Sequence, residues 1–160
     1  MSYFAIWKPL CNSKDSLRKS QQRKPKKATN MNLQVLIPET GLRPGQVYSP
    51  GIRWDKLVFC SGQTGSHPVT REFSSDIRVQ TRTALDRLRA VASAGNASLE
   101  SIVKLTIFMT DIVGEFDAMN EIFEEYFPSN PPSRTTVGVA SLARPGLKIE
   151  IEAIAVAIDR

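Results

Sequence analysis

The sequence predicts an α+β fold, a single mixed β-sheet with two helices packed on one face, in the order β-β-α-β-α-β-β. Three observations predict it. Residues 76–94 and 115–127 repeat apolar side chains at the i, i+3, i+4 spacing of a helix with one buried stripe. The segments around them are rich in β-branched and aromatic residues and are broken by Gly and Pro. The last run, residues 153–158, is apolar on both of its alternating faces, so each face needs cover. Two helices of this length cover one face of a sheet, and association of identical subunits through their sheets is the simplest cover for the other.

The chain has 160 residues, 41% hydrophobic, enough for one domain with its own core, and no apolar run approaches the roughly 20 residues that cross a bilayer. A net charge of +5 belongs to the first 30 residues, where Lys8, Lys14, Arg18, Lys19, Arg23, Lys24, Lys26 and Lys27 face Asp15 alone. Residues 31–160 are slightly acidic, which divides the chain into a basic, disordered extension (1–30) and a domain (31–160). Several readings stay open for the extension. It can be a stretch upstream of the true start at Met31, an organelle transit peptide, a polyanion-binding arm built on Arg23-Lys24-Pro25-Lys26-Lys27, or a solvated tail. Cys11 and Cys60 make no disulfide pattern, and Cys60 in the run 57–60 reads as a buried, reduced thiol. The expected compartment is therefore reducing: the cytoplasm, or an organelle if the extension is a transit peptide.

In chain order, residues 46–54 and 56–61 read as a hairpin turning at Trp54-Asp55-Lys56. Ser61-Gly62-Gln63-Thr64-Gly65-Ser66 then breaks the pattern, either as a plain turn or as a loop where Gly62 admits a ligand and Ser61 offers a hydroxyl. His67 is the only histidine and sits in a loop, so a zinc site or a Ser-His-Asp device has no basis. Ser74 or Ser75 can cap the first helix and Gly95 can end it; Arg78, Arg82, Asp86, Arg87 and Arg89 lie off its apolar stripe, as a solvated face. A strand is expected over residues 102–109. The second helix carries Phe116, Met119, Phe123, Tyr126 and Phe127 along one side and stops at Pro128, with Asn120 beside that stripe.

The richest stretch lies last. Pro132-Ser133-Arg134-Thr135-Thr136-Val137-Gly138-Val139 and Lys148-Ile149-Glu150-Ile151-Glu152-Ala153-Ile154 read as two strands facing each other across a turn at Arg144-Pro145-Gly146. On the second, Glu150 and Glu152 share one face and Ile149, Ile151 and Ala153 the other. An Arg after Pro-Ser and two Glu on a strand are, on their own, as consistent with wet surface as with a site.

These segments, together with Tyr48-Ser49, Leu57-Val58-Phe59-Cys60-Ser61-Gly62-Gln63 and Phe116-Asp117-Ala118-Met119-Asn120, resemble the RidA (YjgF) family of reactive-intermediate deaminases. The likeness runs from about Gly45 to the C terminus. Thr136 stands where some members carry Cys, and the Arg-to-Glu connection is one residue longer than in the shortest members. The resemblance implies a chorismate mutase-like homotrimer with ligand sites between subunits, and no metal or other cofactor. It also implies hydrolysis of small 2-imino acids to 2-keto acids and ammonia. Arg134 is then the carboxylate clamp and Glu150, preferred over Glu152, the proton-handling group. Tyr48, Ser61, Gly62, Asn120 and a main-chain carbonyl near Thr136 complete the site. A ligand-sensing or RNA-cleaving role stays open beside it, with nucleic-acid contact resting only on the basic extension.

Overall fold

The computed structural model describes residues 32–39 and 46–158, so the readings placed on residues 1–30 lie outside the described residues. The elements run β1 (Leu33–Leu36), β2 (Gly51–Trp54), β3 (Leu57–Thr64), α1 (Ile77–Ala94), β4 (Ile102–Met109), α2 (Ile112–Tyr126), β5 (Ser133–Gly138) and β6 (Ile149–Val156), with a single 3-10 turn, Leu99–Ser101, before β4. They form one six-stranded sheet in the order β1-β2-β3-β6-β4-β5. Neighbours are antiparallel except β4 and β5, which α2 joins as a parallel crossover. The expected mixed sheet with two helices is thus present, with the short β1 added at one edge.

Two expectations are corrected. The strand predicted over 46–54 begins only at Gly51, because Pro50 and the residues before it make no ladder. The larger correction concerns the last two strands, which do not form a hairpin. β6 pairs with β3 on one side and β4 on the other, so β4 lies between β6 and β5. The reason is burial. Ile149, Ile151, Ala153 and Ala155 of β6 are buried, whereas β5 is largely exposed and takes the edge, where its polar side chains meet solvent.

Both helices lie over one face. Leu85, Leu88 and Val91 of α1 and Met119 and Ile122 of α2 pack on Val58, Leu105, Ile107 and Ile151. Cys60 belongs to this core, and burial pushes its thiol up to about 12. Asp76, one residue beyond the expected serines, caps α1 by accepting from the Arg78 N–H, and Asp111 caps α2 by accepting from Gly114. α2 therefore starts three residues earlier than its apolar stripe suggests. At the far end of α1 the chain turns through Gly95, but the left-handed residue is Asn96, at φ 58°.

The opposite face carries no helix. There Ile52, Phe59 and Ile154 line up across three strands, beside Trp54, Leu57 and Val156. Phe59 is 39% and Trp54 47% exposed, and the band continues to Val35 on β1.

Arg78, Arg82 and Arg89 lie on a solvated face, as expected, and two of them also tie the helices together. Arg78 makes a two-pronged pair with Glu121 (2.6 and 2.8 Å), Arg82 does the same with Glu125, and Tyr126 donates to Asp86 at 2.9 Å. Hydrogen bonds from Arg78 and Arg82 hold Glu121 and Glu125 below the usual carboxylate range. A carboxylate whose folded value is lowered stabilises the fold above its unfolded value, about 4.3, and loses that contribution as pH falls through the lower folded value. The melting temperature should therefore fall as pH is taken below about 4, and fall less steeply in Arg78→Met/Arg82→Met, as read by circular dichroism melts at each pH.

Candidate functional site

The sequence-predicted residues gather into two groups rather than one. Arg134 stands on β5 opposite Leu105, and Leu105 stands opposite Ala153, so all three share the face under the helices. Its guanidinium lies 5.7 Å from the Phe116 ring centre and 5.3 Å from that of Phe123, and its Nη1 donates to Asn120 Oδ1 at 2.8 Å. The helix face that carries Asn120 therefore also carries the two rings that seat the cation. Arg134, Asn120, Phe123, Phe127 and Pro132 line a cleft of about 410 Å³. Thr136, two residues along the same strand face, has a buried hydroxyl with no hydrogen-bond partner.

Glu150 belongs to the other group. It stands opposite Phe108 of β4 and Thr64 of β3, on the face without helices. Counted along β4 it is three rungs and two strands from Arg134, roughly 14 Å at ordinary strand rise and spacing. One chain therefore cannot bring Arg134 and Glu150 to one small ligand.

Gly62 explains where the Glu150 carboxylate sits. β3 shifts register between Cys60 and Gln63, and a Cβ built on Gly62 would stand 2.0 Å from Glu150 Oε1. The carboxylate occupies the space that any other residue would fill. Tyr48, Gly62, Thr64 and Glu150 line a cleft of about 300 Å³ with Arg71 and Arg144. Arg144 donates to the Arg71 carbonyl at 2.9 Å and lies over Phe73. The sequence marks Arg144 beside Pro145-Gly146 only as a turn and gives Arg71 no role.

Ser61 falls outside this cleft. Its hydroxyl donates to the Ser49 carbonyl at 2.7 Å, and it lines a neighbouring hollow with Lys104, Thr106 and Glu152. Glu152 thus faces that hollow and not the cleft lined by Gly62. His67 accepts the N–H groups of Val69 and Thr70 through Nδ1, the work of a turn residue. Among the described residues no three His, Cys, Asp or Glu side chains gather where they could hold a metal ion.

Each chain thus offers a cationic half-site, Arg134 with Asn120, and an acidic half-site, Glu150 with Gly62 and Tyr48. A guanidinium resting over two rings and held at one nitrogen by an amide keeps further donors for a carboxylate. Asn120→Ala should weaken binding of a small carboxylate at Arg134 about tenfold, measured by titration calorimetry, since a charge-assisted contact that orients the fork is lost.

Residues 39–157 match the family model described as Endoribonuclease L-PSP. The chain is 40% identical over 129 residues to "Reactive Intermediate Deaminase A, chloroplastic" of Arabidopsis thaliana, covering 80% of this chain and 68% of that one. It is 40% identical over 123 residues to "Protein mmf2, mitochondrial" of Schizosaccharomyces pombe, covering 76% and 96%. Among solved structures it is similar to Escherichia coli TdcF with bound serine, at a TM-score of 0.72 and 32% identity over 78% of this chain and 99% of that one.

Proposed function

The chain belongs to the RidA (YjgF) family, and on that premise we propose that it is a deaminase of reactive 2-imino acids, hydrolysing 2-iminobutanoate and 2-iminopropanoate. Such compounds arise when pyridoxal-dependent dehydratases act on small hydroxy amino acids. The observation that carries the reading is the pair of half-sites. A clamped guanidinium suits the substrate carboxylate, and a carboxylate seated against a glycine suits a water molecule. A relative crystallised with serine, an amino acid of similar size, supports the ligand class.

In this reading Arg134 binds the carboxylate and Asn120 keeps the fork in place. Tyr48 and the Gly62 bulge shape the opposite wall. The enamine tautomerises to the imine, whose carbon is already electrophilic. Glu150, with a main-chain carbonyl of the edge strand near Thr136, orients the attacking water and takes its proton. The carbinolamine that forms expels ammonia on protonation of nitrogen and leaves the 2-keto acid. Positioning supplies most of the acceleration, so a shallow cleft with two well-held groups suffices.

Because the half-sites lie on opposite faces, the working site needs Arg134 of one chain and Glu150 of another. In this reading a homotrimer supplies that arrangement, and the bare apolar band around Phe59 and Ile154 supports it as the surface to bury. For location we propose the cytoplasm, or an organelle where residues 1–30 act as a transit peptide. The mitochondrial and chloroplastic relatives support the second. Among the described residues no helix is long and apolar enough to cross a membrane.

The family label favours a second reading, RNA cleavage. A coupled assay that generates 2-iminobutanoate in place decides between the two. Wild type should accelerate hydrolysis, and Arg134→Ala and Glu150→Gln should each remove that acceleration. Refolding the two inactive variants together at equal amounts should restore about one quarter of wild-type activity, since one site in four then pairs an intact Arg134 with an intact Glu150. No acceleration by assembled wild type, with cleavage of RNA, would overturn the deaminase reading; a mixture that stays inactive overturns the divided site.

A further inference from the structure

We propose that Gln80, outside both clefts, is the positioning residue for Glu150; the inference rests on the catalytic role given to Glu150 above. Glu150 stands at the end of the sheet. The Thr64–Glu150 pair is the last rung between β3 and β6, and Met109–Ile149 the last between β4 and β6. Strand ends fray where the ladder stops, so something beyond the ladder has to hold this one.

Gln80 of α1 does so with its whole amide. It is fully buried, and its Nε2 donates to the Ser74 carbonyl at 2.7 Å and to the Gly146 carbonyl at 2.9 Å. Its Oε1 accepts the Lys148 N–H at 2.9 Å, two residues before Glu150. The same side chain presses on the exit of β3, where a Cβ on Gly65 would stand 2.3 Å from Gln80 Cβ. Residue 148 is held at two further points: its carbonyl accepts the Thr110 N–H at 3.1 Å, and its ammonium pairs with Glu115 of α2. Two turns further along α1, Arg87 donates to the Ser66 carbonyl at 2.8 Å and steadies the same β3 exit.

Only a neutral amide gives two donors and one acceptor here. Two of the bonds reach the segment that enters β6, the side chain packs on the exit of β3, and neither contact reaches Arg134. Loss of Gln80 should therefore loosen the water-activating half of the site and spare the carboxylate clamp. That asymmetry separates positioning from general support of the fold.

The experiment compares full-length wild type, Glu150→Gln, Gln80→Met and Gln80→Glu in the 2-iminobutanoate assay, alongside melting temperature and oligomeric state. Gln80→Met keeps the shape and removes the bonds; it should lower kcat at least about tenfold while KM stays within about twofold, in protein that remains folded. Gln80→Glu, its carboxyl kept neutral by burial, accepts from Lys148 but donates to only one of the two carbonyls, and should leave kcat between that of Gln80→Met and that of wild type. If Gln80→Met fails to fold, Gln80→Glu carries the test: kcat reduced with unchanged KM supports positioning, and wild-type kcat overturns it. Folded Gln80→Met with wild-type kcat, or with kcat and KM changing together, also overturns it. Turnover by wild type that is lost in Glu150→Gln but kept in Gln80→Met removes this role alone. Absence of turnover by wild type removes the deaminase reading and this role with it.

Discussion

Strand β6 is hydrogen-bonded along both edges, and one of its faces is driven into the core by Ile149, Ile151, Ala153 and Ala155. A slip of one residue would carry Glu150 and Glu152 under the helices and the isoleucines out of them, a change no packed core tolerates. Burial of four small or branched side chains thus decides which side of the sheet receives the carboxylates. The bulge in β3 then decides which carboxylate has room. Glu150 meets Gly62, while Glu152 faces the hollow beside Lys104. Neither choice requires the ligand.

Arg134 is governed by a different part of the molecule. Its strand is an edge, attached only through β4, and its side chain is turned toward α2, where Phe116, Phe123 and Asn120 sit on successive turns of one helix face. The pairs of Arg78 and Arg82 with Glu121 and Glu125 fix α2 against α1, so the seat of the guanidinium inherits its position from a helix-helix contact. In the proposed assembly the two halves meet only because one is at an edge and the other on an open face.

Much of this was legible in the sequence. The strand at 102–109 and the helix beginning near residue 76 follow from strong periodicity, and the split of Glu150 from Ile149 follows from the two-residue repeat of any strand. The start of α2 was not, because exposed Val113 and Gly114 interrupt the stripe that Asp111 caps. The hairpin was misread for a deeper reason. Two β-type runs joined by a Gly/Pro turn look adjacent, and nothing local to them reveals that β4, encoded some 30 residues earlier, lies between. Of the residues named from the sequence, the structure brings Arg134 beside Asn120, and Glu150 beside Gly62 and Tyr48. Ser61 lies on the helix-free face with Phe59 and Glu152, as alternation along β3 assigns it, but lines the neighbouring hollow instead of the Glu150 cleft. Gln80 is buried on the inner face of α1, where an amide carries no sequence signal of its three partners.

The glycines record two kinds of constraint on how such a chain can drift over generations. A side chain at Gly51 would collide with Val91 and with the backbone of Phe59, so a change there is punished in stability and removed along with the fold. A side chain at Gly62 would collide only with the movable end of Glu150, which can swing away. The fold would scarcely register that second change. A descendant could keep this sheet and its helices while losing the acidic half-site in one silent step, and it would then persist as a binding protein of unchanged shape.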